Sequence, residues 1–227
     1  VLFKHNSAIL NTSVVILFLI LIFPQHLYTQ SNYEKSFYGG LFFISEYISS
    51  DYFQSLKTNY NDLELVDSIY IKALEFFNYD YSETFLCLTF ATLPYNSITI
   101  KFFFNTQLKI PLPSTPKKIF DKKVAHLPQK LFFNSPQNNF GDKDKLAHFF
   151  GNAFLRYNFG WFNLSKFMGI FVEHVEEKLF FNGSISGKDI VINHFGELFA
   201  ETVKINNKIL PSDVLNIYQL LFLRIHL

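Results

Sequence analysis

Residues 144–161, DKLAHFFGNAFLRYNFGW, carry polar side chains four apart in an otherwise apolar run: Asp144, His148, Asn152 and Arg156. Residues four apart share one face of an α-helix. The spacing therefore predicts a helix over 144–159 that is greasy except along one line. The next run, GIFVEHVEEKLFF (169–181), crowds Glu173, Glu176 and Glu177 on one side and predicts a second helix over 164–181. A third run, KDIVINHFGELFAE (188–201), repeats the spacing of four with Asp189, Asn193, Glu197 and Glu201 and predicts a helix over 188–203. Such a stripe is either the wet face of a soluble helix or the inward face of a bundle whose outside meets lipid.

Outside this third of the chain the signals are more varied. DLELVDSIYIKALEFFN (62–78) has Val66, Ile69, Ala73 and Phe76–Phe77 at steps of three and four, with Asp62 as its expected N-cap. A helix is also expected within LFFISEYISSDYFQSL (41–56) and another over 82–93, before the turn residues Pro94, Tyr95 and Asn96. SITIKFFF (97–104) and QLKIPLP (107–113) read as two strands of a hairpin turning near Asn105–Thr106, with Pro111 and Pro113 ending the second strand or placing it on an edge. The tail, SDVLNIYQLLFLRIHL, opens on Ser212–Asp213 as a cap and reads as a terminal helix.

These elements give a mainly α fold. A compact C-terminal bundle of three or four helices (142–227) follows an N-terminal α+β region (31–113) containing a short β-hairpin. Residues 114–141 hold three prolines, much Lys and Asn and no periodicity, and read as a surface linker.

The first 30 residues have the parts of an export signal. Lys4 and His5 precede ten unbroken apolar residues, VVILFLILIF (14–23), and Pro24 then breaks the run. The run is short for a spanning helix, which needs about 20 apolar residues. Residues 1–30 are therefore expected to be a signal peptide or an N-terminal anchor, with the rest of the chain exported to the periplasm or held at the membrane.

Composition agrees with that address. Charged residues make up 17% of the chain, below the usual quarter, and apolar residues 49%. The 30 Phe and 12 Tyr are residues that A/T-rich codons favour, and that reading outweighs any special role for Phe. Membrane lipid or envelope proteins are the expected partners. A net charge of +1 argues against nucleic acid, and the basic run KKIFDKK (117–123) is too short to change that. The lone Cys87 excludes an intramolecular disulfide framework and any CxxC metal site; within ETFLCLTFATL it is expected to be a buried, inert thiol.

The candidate site is the polar cluster Asp144, Lys145, His148, Glu173, Glu176, Asp189 and Asn193. Buried carboxylates need partners, and Lys145, His148, Asn193 and Arg156 can supply them. His148 reads first as a hydrogen-bonded structural histidine, and second as a general base with Glu173 or Asp189 as orienting group. Glu173, Glu176 and Glu177 read as a solvated face with His174 and Lys178 as local partners. Asp189 reads as an N-cap or helix-dipole partner. No cofactor or metal is expected; the paired Glu-x-x-His of di-iron bundles is missing, which argues against a di-metal site, and His148, Glu173 and Glu176, with His194 as a further nitrogen, are the candidate ligands. Gly151, Gly160, Gly169 and Gly196 would let helices approach closely.

DKDKLAHFFGNAFL, GIFVEHVEE and KDIVINHFGELFA, taken in order, resemble the YfiM-type predicted periplasmic or lipoprotein family and, more distantly, the VanZ-like membrane proteins. The residues that carry the resemblance are Asp144, Lys145, His148 and Phe149, then Glu173, then Asp189, Asn193 and Gly196, within residues 142–201. The resemblance implies a small helical envelope protein without an established reaction. The chain departs from it in lacking a lipobox cysteine and in its long N-terminal region. Two functions follow as expectations: an exported, noncatalytic envelope protein with a structural or assembly role, or a membrane-associated hydrolase or transferase acting on a lipid-linked or cell-wall substrate through His148 and nearby carboxylates.

Overall fold

Short polar side chains cap four of the eight helices among the described residues. Ser36 accepts the Gly39 N–H and opens α1 (Phe37–Ser49). Ser50 ends α1 and caps α2 (Asp51–Leu56) by accepting the Phe53 N–H at 3.0 Å, so the helix expected within 41–56 is two helices broken at Ser50. The computed structural model describes residues 33–101, 107–159 and 187–225. α3 (Asp62–Phe76) begins with a reciprocal capping box. Asn61 Oδ1 accepts the Leu63 and Glu64 N–H groups, and Glu64 returns a carboxylate oxygen to the Asn61 N–H. The cap is therefore Asn61 and not Asp62. Asp62 is left free to accept the Gln129 and Lys130 N–H groups at 3.0 and 2.7 Å. α4 (Tyr81–Ala91) is capped by Asp80.

β1 (Ser97–Lys101) and β2 (Gln107–Pro111) pair antiparallel, with Ser97 opposite Pro111 and Lys101 opposite Gln107. Pro111 stands at the end of the ladder, where a missing N–H costs least. α5 (Lys117–His126) lies inside the stretch expected to be a structureless linker. Its inward positions are Phe120 and Lys123, and a lysine at a core position hides the apolar period. Leu127, Leu131 and Phe132 after it are also buried. Residues 114–141 thus contribute to the core, and the described residues all belong to one compact unit, Tyr33–Leu227. α6 (Lys143–Asn158), α7 (Gly187–Ile205) and α8 (Pro211–Ile225) complete the fold. The helix expected over 164–181 lies outside the described residues. α8 starts at Pro211, one residue before the expected cap, and Asp213 accepts the Leu210 N–H at 2.9 Å.

The fold is mainly α, with eight helices and one two-stranded sheet among the described residues. α6 packs against α7 on one side and α4 on another, while α8 lies on α3. The centre of the core is Phe199 of α7. Its ring lies 5.3 Å from Tyr70 of α3, 5.7 Å from Phe85 of α4 and 5.3 Å from Phe149 of α6. Four helices therefore meet on one aromatic cluster. Cys87 is fully buried, and burial pushes its thiol pKa well up, as expected for an inert core thiol. Among the described residues no helix is long and apolar enough to cross a membrane.

Candidate functional site

The polar stripes of α6 and α7 face each other. Lys145 Nζ lies 2.7 Å from Asp189 Oδ1; Asn152 Nδ2 donates to Asn193 Oδ1 at 2.8 Å; Arg156 Nε donates to Glu201 Oε1 at 2.8 Å. Partner numbers rise together along both helices, so α6 and α7 run parallel, with their N-termini side by side. A further cross-pair at that end, Lys188 to Asp142 at 3.3 Å, precedes the Lys145–Asp189 pair. The segments DKDK and GKD thus pair reciprocally, acid to base in both directions.

Close approach of the helices rests on Gly196. A Cβ at this position would lie 2.2 Å from the Phe149 carbonyl oxygen and 3.0 Å from the Asn152 Cβ. No side chain fits there without separating the helices. Gly151 has more room, since a Cβ there would meet Thr89 only at 3.4 Å. Gly160 and Gly169 lie outside the described residues.

At the N-terminal end of the ladder Lys145 is held by two carboxylates, Asp144 Oδ2 at 2.5 Å and Asp189 Oδ1. Burial alone would lower the Lys145 pKa; hydrogen bonds and charge from Asp144 and Asp189 outweigh it and hold the pKa above the ordinary lysine value. The ammonium is therefore firmly charged. Asp144 and Asp189 also lie in the first turns of their helices, where the helix dipole favours negative charge. Asp189 is a first-turn acid rather than the cap, because α7 already starts at Gly187.

His148 corrects one expectation. It was expected to be a hydrogen-bonded structural histidine, but its side chain is exposed, one helical turn beyond Asp144. Among the described residues its ring makes no hydrogen bond; its backbone carbonyl accepts Asn152 Nδ2 at 2.7 Å. One donor atom each from Asp144, His148 and Asp189 lies within 4.8 Å of the others. The structure thus brings Asp144, Lys145, His148 and Asp189 together, with Asn152 and Asn193 one turn further along. His194 points elsewhere, exposed and 3.7 Å from Glu197. Glu173, Glu176 and Glu177 lie outside the described residues.

Asp142 belongs to the cluster and was missed in the sequence. It is buried, accepts the Ser135 hydroxyl and pairs with Lys188, which also donates to the Asn134 carbonyl at 2.8 Å. Its signal was the doubled Asp-Lys of DKDK, whose first acid lies off the stripe of four. Gly141, with φ of +59°, makes the turn that delivers Asp142. A Cβ there would collide with the Gln129 carbonyl oxygen at 2.4 Å.

No protein-family model, no curated protein and no solved structure matches this chain.

Proposed function

We propose that this protein is an exported cell-envelope protein with a noncatalytic structural or assembly role at the membrane, in which the polar ladder fastens α6 to α7. The observation that carries the reading is the pairing of the ladder. Lys145 with Asp189, Asn152 with Asn193, and Arg156 with Glu201 engage one another across the helix–helix contact instead of converging on a substrate. Partly buried charges and amides that pair across the contact fix register and orientation, and loss of one partner destabilises the pair. The export half of the reading rests on Lys4, His5 and the apolar run 14–23, and the resemblance to the YfiM-type and VanZ-like families supports it.

A reporter enzyme that is active only outside the cytoplasm, fused after residue 60, tests the address. Activity is expected; a reporter that works only in its cytoplasmic version contradicts export.

One observation favours a second reading. The exposed His148 ring stands beside the carboxylates of Asp144 and Asp189, the arrangement a general base with an orienting acid requires. In that reading the protein is a membrane-associated hydrolase or transferase acting on a lipid-linked or cell-wall substrate. His148→Ala would then abolish turnover of such substrates while leaving the melting temperature unchanged.

A further inference from the structure

We infer that Asp144, His148 and Asp189 form a binding site for a divalent first-row transition cation, zinc being the best match, at the N-terminal end of the α6–α7 seam. The inference goes beyond the structural role proposed above and departs from the expectation that no metal is bound.

Three observations lead to it. The first is convergence. Asp144 and His148 sit four apart on α6, which puts them on one face, and Asp189 reaches the same place from α7, so that one oxygen or nitrogen from each lies within 4.8 Å of the others. Donor atoms around a tetrahedral zinc ion stand about 3.4 Å apart, because Zn–O and Zn–N bonds are about 2.0–2.2 Å. The donor atoms therefore have to draw together by at most about 1.4 Å, which rotation of the three side chains would supply. The second is that the place already selects positive charge. The Lys145 ammonium lies 2.5 Å from Asp144 and 2.7 Å from Asp189. The third is His148. An exposed imidazole with no hydrogen bond among the described residues is accessible to an incoming ion.

The donor set decides the class of ion. Two carboxylates and an imidazole suit zinc and its first-row neighbours, whereas magnesium and calcium take oxygen alone. Three protein ligands leave a fourth position for water. Bound there, the ion would join α6 to α7 through Asp189 and add a metal rung to the ladder. Lys145 is a like charge next to that ion, so it weakens the site instead of completing it.

The test is titration of the full chain, stripped with chelator, with zinc chloride alone by isothermal calorimetry, with the histidine ring signals followed by NMR. One ion per chain is expected to bind, with the His148 ring signals shifting. His148→Ala, which removes an exposed side chain and leaves the fold intact, is expected to weaken binding at least about tenfold. Lys145→Met is expected to tighten it, and magnesium chloride is expected not to compete. Absence of saturable binding overturns the proposal, as does zinc binding that His148→Ala leaves unchanged, which would put the ion elsewhere on the chain. Tighter binding by wild type than by Lys145→Met overturns the role given to the ammonium. None of these outcomes depends on where the protein resides, so failure of the metal site and failure of the export reading are read separately.

Discussion

Asp67 lies on the buried side of α3, 8% exposed, where its Oδ1 accepts the Ser212 N–H at 2.8 Å and so ties α8 to α3. Burial raises its pKa from 3.8 to about 6; the Ser212 hydrogen bonds oppose the rise, and the charges of Asp213 and Glu64 add to it. The sign of the linkage follows. Well below pH 4 the carboxyl is protonated in folded and unfolded chains alike and has no effect. Between about pH 4 and 6 the unfolded chain releases the proton while the folded chain keeps it, so stability falls as pH rises. Above pH 6 the penalty is constant. The full shift corresponds to about 3 kcal/mol, and residual access to water reduces it to about 1–3 kcal/mol. Asn keeps the acceptor oxygen and cannot ionise. Asp67→Asn is therefore expected to stabilise the protein by about 1–3 kcal/mol at pH 7.5 and by almost nothing at pH 4. Urea denaturation of both proteins from pH 4 to 8 measures this. A destabilised variant at pH 7.5, or a gain that does not change with pH, would refute the reasoning.

Gly196→Ala would drive a methyl group into the Phe149 carbonyl. Because backbone obstructs it, the loss is expected near the upper end of overpacking costs, about 3 kcal/mol, seen as a lower melting temperature. Lys123 is 1% exposed, with its ammonium 3.1 Å from the Leu93 carbonyl oxygen and 4.8 Å from the Phe120 ring centre. Burial lowers its pKa to about 7, so the cost of charging it is full below pH 7 and fades as pH rises toward the ordinary lysine value. Lys123→Met is accordingly expected to gain more stability at pH 6.5 than at pH 9.5, by chemical denaturation at the two pH values.

The helical stripes were legible because both carry their information in a spacing of four, and that spacing survives whatever packs against it. Asp144 to Arg156 and Asp189 to Glu201 each mark a face without reference to the other. The sequence did not say that these two faces meet, nor that they meet in parallel. That depends on tertiary packing, which a spacing of four does not encode. Lys145 stands one position off the stripe, so its bridge between Asp144 and Asp189 was visible only as a possible partner in a set. α5 escaped notice because its inward positions include Lys123, which interrupts the apolar period that reveals a helix. The cap of α3 was misplaced by one residue because Asn61 and Asp62 are both good capping residues. The choice depends on Glu64 closing the box with Asn61 and on the backbone of Gln129 and Lys130 claiming Asp62. The exposure of His148 was not legible either, since a histidine in an apolar run reads as buried until the neighbouring helix is placed.

The central claim is that the polar stripes hold α6 to α7, and the Asn152–Asn193 pair tests it most directly because it lies in the middle of the seam. A double-mutant cycle with Asn152→Leu, Asn193→Leu and the double variant, measured by urea denaturation in the presence of chelator, isolates the pair. Each single change strands a buried amide and is expected to cost about 1–3 kcal/mol, while the double change removes both amides and recovers much of that loss. The account predicts a coupling of at least about 1 kcal/mol. Single losses that simply add, to within about 0.5 kcal/mol, would contradict it.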